Sequence, residues 1–354
     1  MSRAIIDGMP PAVTTRPGMP GRSGQVTRRT VLRRAGSLGV GALAGLLLGG
    51  CRVRLQDDAP DLPLLQHKSI PDEALLIAGF REAARLQQLA GRVPGAPALP
   101  AELAGIHGAQ ATVLRAVLTA GGVPDHLVTG TGATSAPPTP AASPPAAATQ
   151  APGPAVSAPG PATQADLAGA EQAAVSPAAL AQLAGATPAN RVLLTAVAAQ
   201  RGAAAALLGA VPAWPPGAAL PPPEAAALLD ATRSVVYAFE VVAAQLVADE
   251  RAPAIQTLAA LRARQRELVT AAGTAMTPEP LGYVLPFPVT SPAAARRLAT
   301  AVLAQLVARG LDPVSRLAAG SSAVVQVVRW QADAQVMLRQ WGGPLHPFPG
   351  MAYP

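Results

Sequence analysis

Apolar positions recur along this chain at spacings of three and four, the period of a helix with one buried face. Leu76, Phe80, Ala83 and Ala90 mark a first helix. It opens at Ser69-Ile70-Pro71-Asp72, which fits a capping box with proline in the first turn. Leu103, Ile106, Val113 and Val117 mark a second over about 99–120, stopped by Gly121-Gly122-Val123-Pro124. Two more are predicted at about 164–185 and 188–210, the latter holding Val192, Leu193, Val197, Leu207 and Leu208. Pro212, Pro215 and Pro216 then interrupt the pattern.

The second half repeats the period more cleanly. Residues 223–248 align Leu228, Val235, Phe239, Val242 and Leu246 along one face. Residues 251–274 carry Ile255, Leu258, Leu261 and Leu268. A proline-rich crossover, MTPEPLGYVLPFPVTSP (276–292), leads to a Ser291 cap with Pro292 at the first helical position. Residues 292–309, with a further part to 319, carry Leu298, Val302 and Leu306. Residues 320–341 carry Val327, Trp330, Ala334, Met337 and Trp341. Val324, Val325, Val327 and Val328 alone could form a strand, but the residues after them keep the helical period. The fold class expected is all-α, with a ferritin-like four-helix bundle over 222–345 and a tail at 346–354. The long connection between its second and third helices suits a ferritin-like crossover better than a tight up-down bundle. A second, looser helical bundle is expected over 69–212. Within it, residues 128–163 are low-complexity Pro, Ala, Ser and Thr, a composition that cannot offset its ordering entropy and is expected to be a disordered linker.

Ahead of the helices stands TRRTVLRRAGSLGVGALAGLLLGGC, residues 27–51. Its apolar part, Leu38 to Gly50, is shorter than the roughly 20 residues that span a bilayer, and glycines interrupt it. Arginines followed by a short apolar run have the layout of an export signal. Arg28 and Arg29 sit in a stretch that resembles the twin-arginine export motif. Leu48-Gly49-Gly50-Cys51 resembles a lipobox, which implies cleavage before Cys51 and its lipidation. Residues 1–50 are therefore expected to be a twin-arginine lipoprotein signal peptide, and 51–68 a tether. The expected partners are the membrane, through lipid on Cys51, with the twin-arginine translocase and lipoprotein signal peptidase during export. The expected location is the outer face of the cytoplasmic membrane. Cys51 is the only cysteine among 354 residues, so no intramolecular disulfide can form.

Charge changes the picture once it is divided. The chain carries a formal +7. Residues 1–50 hold seven arginines against Asp7, or +6, and the other 304 residues hold 20 basic and 19 acidic side chains, or +1. The basicity belongs to the leader, and what remains lacks the electrostatic footprint of a nucleic-acid binder. Aromatic side chains are scarce, and eight of ten lie between Tyr237 and Tyr353, which places the better-packed core in the C-terminal half.

The crossover, the helix LLDATRSVVYAFEVVAAQL and the tail FPGM (348–351) together resemble a ferritin-like domain of unknown function found in actinobacterial twin-arginine-exported lipoproteins. The resemblance implies a ferritin-like bundle over the C-terminal ~125 residues and brings no known activity. It also implies a departure: relatives carry a Glu-His pair where this chain has Thr232-Arg233.

Candidate chemistry is sparse. A ferritin-like di-iron site draws on Glu-x-x-His pairs, and the chain contains none. His67, His107, His126 and His346 all lie outside the four C-terminal helices, so neither metal nor other cofactor is expected there. His107, with Gln110 one turn on, reads as a boundary histidine satisfied by water or backbone, its alternative being a remnant ligand or a ligand-binding side chain. Asp230, Arg233, Tyr237 and Glu240 form a polar stripe about 160° from the apolar line of their helix, expected to be a solvated face with local ion pairs. Its functional alternative is a groove in which Arg233 and Tyr237 bind a polar ligand. Arg262, Arg264 and Arg266, spaced by two, read as surface charge. No nucleophile–base arrangement, phosphate loop or dinucleotide fingerprint appears. Binding or scaffolding is therefore expected rather than catalysis. The rivals are a metal or redox protein using Glu240, Glu267 and Asp333, and a solute-binding lipoprotein with a cleft between its bundles.

Overall fold

Helical period and helix stop signals translate directly into the architecture. The computed structural model describes residues 67–95, 98–130 and 160–352. Among these residues the chain is all-α: α1 Glu73–Gly91, α2 Ala98–Ala120, α3 Asp125–Thr129, α4 Gln164–Ala173, α5 Pro177–Gly185, α6 Pro188–Leu207, α7 Pro222–Gln245, α8 Arg251–Ala272, α9 Pro292–Arg309 and α10 Val324–Gln340. No helix among them is long and apolar enough to cross a membrane.

Local chemistry sets the helix ends, with three corrections to the sequence pattern. The expected single helix over 164–185 is two, because Ser176 caps a new start, accepting from the Ala179 N–H, and Pro177 follows at the first helical position. The short α3 lies where no helix was expected and overlaps the start of the predicted linker. The third correction is at the first helix. Asp72, left-handed at φ 59°, does not cap its own helix. Its carboxylate instead accepts from the Thr187 N–H at 3.0 Å, the Thr187 hydroxyl at 2.5 Å and the Asn190 amide at 2.9 Å, closing the start of α6. Ser291 does cap α9, accepting from the Ala294 N–H at 3.2 Å.

Packing centres on α6. It lies against α10, α4 and α5, while α1 pairs with α2, α7 with α8, and α9 with α7 and α10. From Leu193 to Ala205 every residue of α6 is buried. A helix buried on all sides needs small side chains to admit its neighbours, and the alanines provide them. Gly202 receives the Trp214 ring where a methyl group would overlap it.

The bundles expected over 69–212 and 222–345 are not separate bodies. The described residues fall in one compact unit. One apolar core runs from Leu76 and Leu114 through α6 to Phe239, Leu303, Val327 and Phe348. A smaller cluster gathers Leu86, Leu103, Leu167 and Leu208 with Leu345. Arg191 ties the halves together. Its buried guanidinium donates to the Ala186 carbonyl from Nε and Nη2, and from Nη1 to the carbonyls of Leu317 at 2.7 Å and Ala318 at 3.1 Å. The segment read as a tail is structural too. Phe348 is buried, and the Pro347 carbonyl accepts from Gln110 on α2 at 2.8 Å.

The apolar faces expected from periodicity are largely the buried ones. Leu228, Val235, Phe239, Val242 and Leu246 are all buried along α7. Ile255 is the departure on α8, standing 51% exposed. Aromatic packing in the C-terminal half includes Phe239 edge-on to Trp341, ring centres 5.5 Å apart. The Trp341 indole N–H donates to Thr257 at 3.1 Å.

Candidate functional site

Arg28, Arg29, Leu48, Gly49, Gly50 and Cys51 lie outside the described residues, as do most of the expected tether and residues 131–159 of the linker. The polar stripe of α7 lies within them, and it is occupied. The Thr277 hydroxyl donates to Asp230 at 2.7 Å, and Arg233 donates to the Thr277 carbonyl at 2.9 Å with Glu279 at 3.7 Å. Tyr237 packs on Tyr283, ring centres 5.7 Å apart, and Glu240 accepts from Arg262 at 2.7 Å. Arg233 is buried. The crossover is fastened to Asp230, Arg233 and Tyr237, yet Asp230 and Glu240 stay exposed in ion pairs, as expected of a solvated face, and only Arg233 is covered.

The arginines of α8 divide by position. Arg262 pairs with Glu240 near the surface. Arg264 turns inward, correcting its assignment as surface charge, and reaches Asp333 of α10 at 2.8 Å and Glu267 at 3.1 Å. The carboxylates of the metal-centre alternative are thus held by guanidinium groups. Among the described residues no three His, Cys, Asp or Glu side chains come together as metal ligands. Thr232 is buried, and its hydroxyl donates to the Leu228 carbonyl at 2.8 Å.

A second polar group, which the sequence did not reveal, lies among α2, α4 and α6. His107 is fully buried rather than at a boundary. Its Nε2 is 2.6 Å from Glu171 Oε1 on α4, and its Nδ1 is 3.2 Å from Gln110 Oε1. The Gln110 amide donates onward to Gln200 Oε1 at 3.0 Å on α6 and to Pro347 O. Glu171 Oε2, Gln200 Nε2 and Arg201 Nε are buried without a hydrogen-bond partner. Buried polar groups are normally paired, so three orphan atoms in one neighbourhood set this region apart from the apolar core around it. Periodicity missed it because Glu171 and His107 stand 64 residues apart, and Gln110 and Gln200 stand 90 apart. The available signal was a histidine inside an otherwise apolar run.

Beside this group, α1, α4, α5 and α6 border an open cavity of about 470 Å³. Leu75, Leu180, Leu183, Leu194 and Val197 supply apolar wall, and Arg201 supplies its buried cation. Burial pulls the Arg201 guanidinium below its ordinary pKa, while the charges of Glu171 and Glu82 act in the opposite sense. At the rim, Arg85 is held in a two-pronged pair by Glu82, at 2.8 and 2.6 Å. The arrangement can hold an apolar body and present a cation to it. It offers no paired nucleophile and base.

Comparison with known proteins reaches only part of this structure. Residues 225–353 match the model of a domain of unknown function, DUF4439. The DUF4439 region begins in α7 and takes in α8, α9, α10, the crossover and the closing FPGM segment. The side chains of the His107 group and of the Arg201 cavity lie on α1 to α6, outside the DUF4439 match, and only the Pro347 carbonyl comes from within it. No curated protein and no solved structure matches the chain.

Proposed function

We propose that this protein is an exported, lipid-anchored cell-envelope component whose helical body, with a ferritin-like C-terminal bundle, works as a binding or scaffolding module without a metal centre. The observation that carries the location is the order of two motifs, Arg28-Arg29 and then Leu48-Gly49-Gly50-Cys51, on either side of a short apolar run. Two acyl chains on Cys51 would give stable anchoring at about 0.8 kcal/mol per buried methylene. The twin-arginine route carries chains that are already folded, and a body whose two halves share one core is suited to such a passage. The binding role draws support from a cavity with a buried cation in a structure whose Glu240, Glu267 and Asp333 carboxylates are engaged by arginine.

Export and anchoring are tested together in the native host. Metabolic labelling with a radioactive fatty acid should mark the wild-type protein and not Cys51→Ala. Arg28→Lys with Arg29→Lys should leave unprocessed precursor inside the cell. Normal processing and envelope location of that double variant would overturn the twin-arginine route, and an unlabelled wild type would overturn the anchor.

A further inference from the structure

The cavity among α1, α4, α5 and α6 combines an apolar wall with a buried cation. Its wall is apolar and its volume of about 470 Å³ is that of a small-molecule pocket. Arg201 is 5% exposed, and no ion pair joins it among the described residues. Its Nη2 makes one long hydrogen bond, 3.5 Å, to the Gly79 carbonyl, and its Nε has no partner. A guanidinium is a planar fork of five donors suited to a carboxylate. Leaving such a group buried with most donors unused is costly, so the fold keeps it for something that enters.

The surrounding charge selects the kind of anion. Glu82 stands at the rim, already paired with Arg85, and Glu171 is paired with His107 in the polar group. Neither carboxylate makes an ion pair with Arg201, so one positive charge is left to be met, which a monoanion matches and a dianion exceeds. We propose that this cavity binds an amphipathic monocarboxylate, its hydrocarbon part against Leu180, Leu183 and Leu194 and its carboxylate on Arg201. The assignment rests on the reading of the protein as a binding module, but not on its export or lipid anchor.

The probe is decanoate, with decanol and decyl phosphate as controls, titrated calorimetrically into the full chain carrying Cys51→Ser and purified without detergent. Decanoate should bind saturably at one site, at least tenfold more tightly than decanol or decyl phosphate. Arg201→Met should weaken decanoate at least tenfold and leave decanol unchanged. Ala78→Trp, at an exposed wall position, should block all three while the helical circular dichroism stays native. Decanol binding as tightly as decanoate would overturn the carboxylate assignment. Undiminished decanoate binding by a folded Ala78→Trp variant would overturn the location. Absence of saturable decanoate binding overturns the site while leaving the export and labelling results untouched, so the two failures are distinguishable.

Discussion

His107 shows what burial does to a residue whose type alone says little. With Glu171 Oε1 at 2.6 Å and no exposed surface, it is part of the interior polar framework. Replacing it with leucine leaves both Glu171 oxygens unpaired in the core, a change that typically costs about 3–5 kcal/mol. Urea unfolding of His107→Leu should show that loss, and adding Glu171→Met should recover part of it, because an apolar pair is better than a stranded carboxylate. A midpoint unmoved by His107→Leu would mean the contact contributes nothing. Asp72 carries the pH dependence at this scale. Burial raises its pKa, but the hydrogen bonds from Thr187 and Asn190 and the charge of Arg191 outweigh that and hold it below the usual aspartate value. A depressed folded pKa means the stabilisation is complete above the unfolded value of about 3.9 and is lost as pH falls through the lower folded value. Asp72→Ala should therefore cost about 1.5–3 kcal/mol at neutral pH, as hydrogen bonds to a charged group do. The gap from wild type should close as the pH falls below about 4. A gap that stays constant into acid would show that the charge is not responsible. Neither role could be read from the residue itself, since the partners of both lie far along the chain.

At the scale of elements, most helices were legible because their apolar positions keep one period and their ends carry proline, serine or glycine. α6 was legible as a helix and not as the centre of the molecule. Alanine is compatible with either burial or exposure, and only its neighbours decide which. The α9–α10 contact depends on the same kind of close approach. A methyl group at Gly310 would overlap the buried Gln331 amide, whose Nε2 donates to the Val307 carbonyl at 2.6 Å. Gly310 has φ −63°, so space and not backbone freedom demands glycine. Gly310→Ala should destabilise by about 1–3 kcal/mol, the usual cost of overpacking, seen as a lowered thermal midpoint. Shortening the neighbour with Gln331→Ala in the same chain should relieve part of the loss, and strict additivity of the two would remove the steric explanation. The stripe of Asp230, Arg233, Tyr237 and Glu240 was legible as polar, but the crossover that binds Asp230 and Arg233 lies some 45 residues away in sequence and carries no mark of its destination.

Over the whole molecule, α6 and α10 hold the two halves as one body. A fragment of residues 222–354 loses α6 and uncovers the face of α10 that packs on it. It should give helical circular dichroism without native near-ultraviolet signal and should be digested rapidly by protease. A fragment with sharp tertiary signal and native resistance would show that the shared core is not needed. Elemental analysis of protein from its native host should find no stoichiometric iron or manganese, and either metal would return Glu267 and Asp333 to consideration as ligands. By itself the sequence determined most of the helices, most of their buried faces, the position of the motif proposed for lipidation and the lack of Glu-x-x-His pairs, because each rests on residues within a few turns of one another. The tertiary structure decided that the halves share a core, that the closing segment belongs to it, and that His107, Glu171, Gln200 and Arg201 meet. Those results depend on which surfaces of separate helices are brought together, and hydrophobic packing is too indifferent to residue identity, above all to alanine, for a linear pattern to specify the partner.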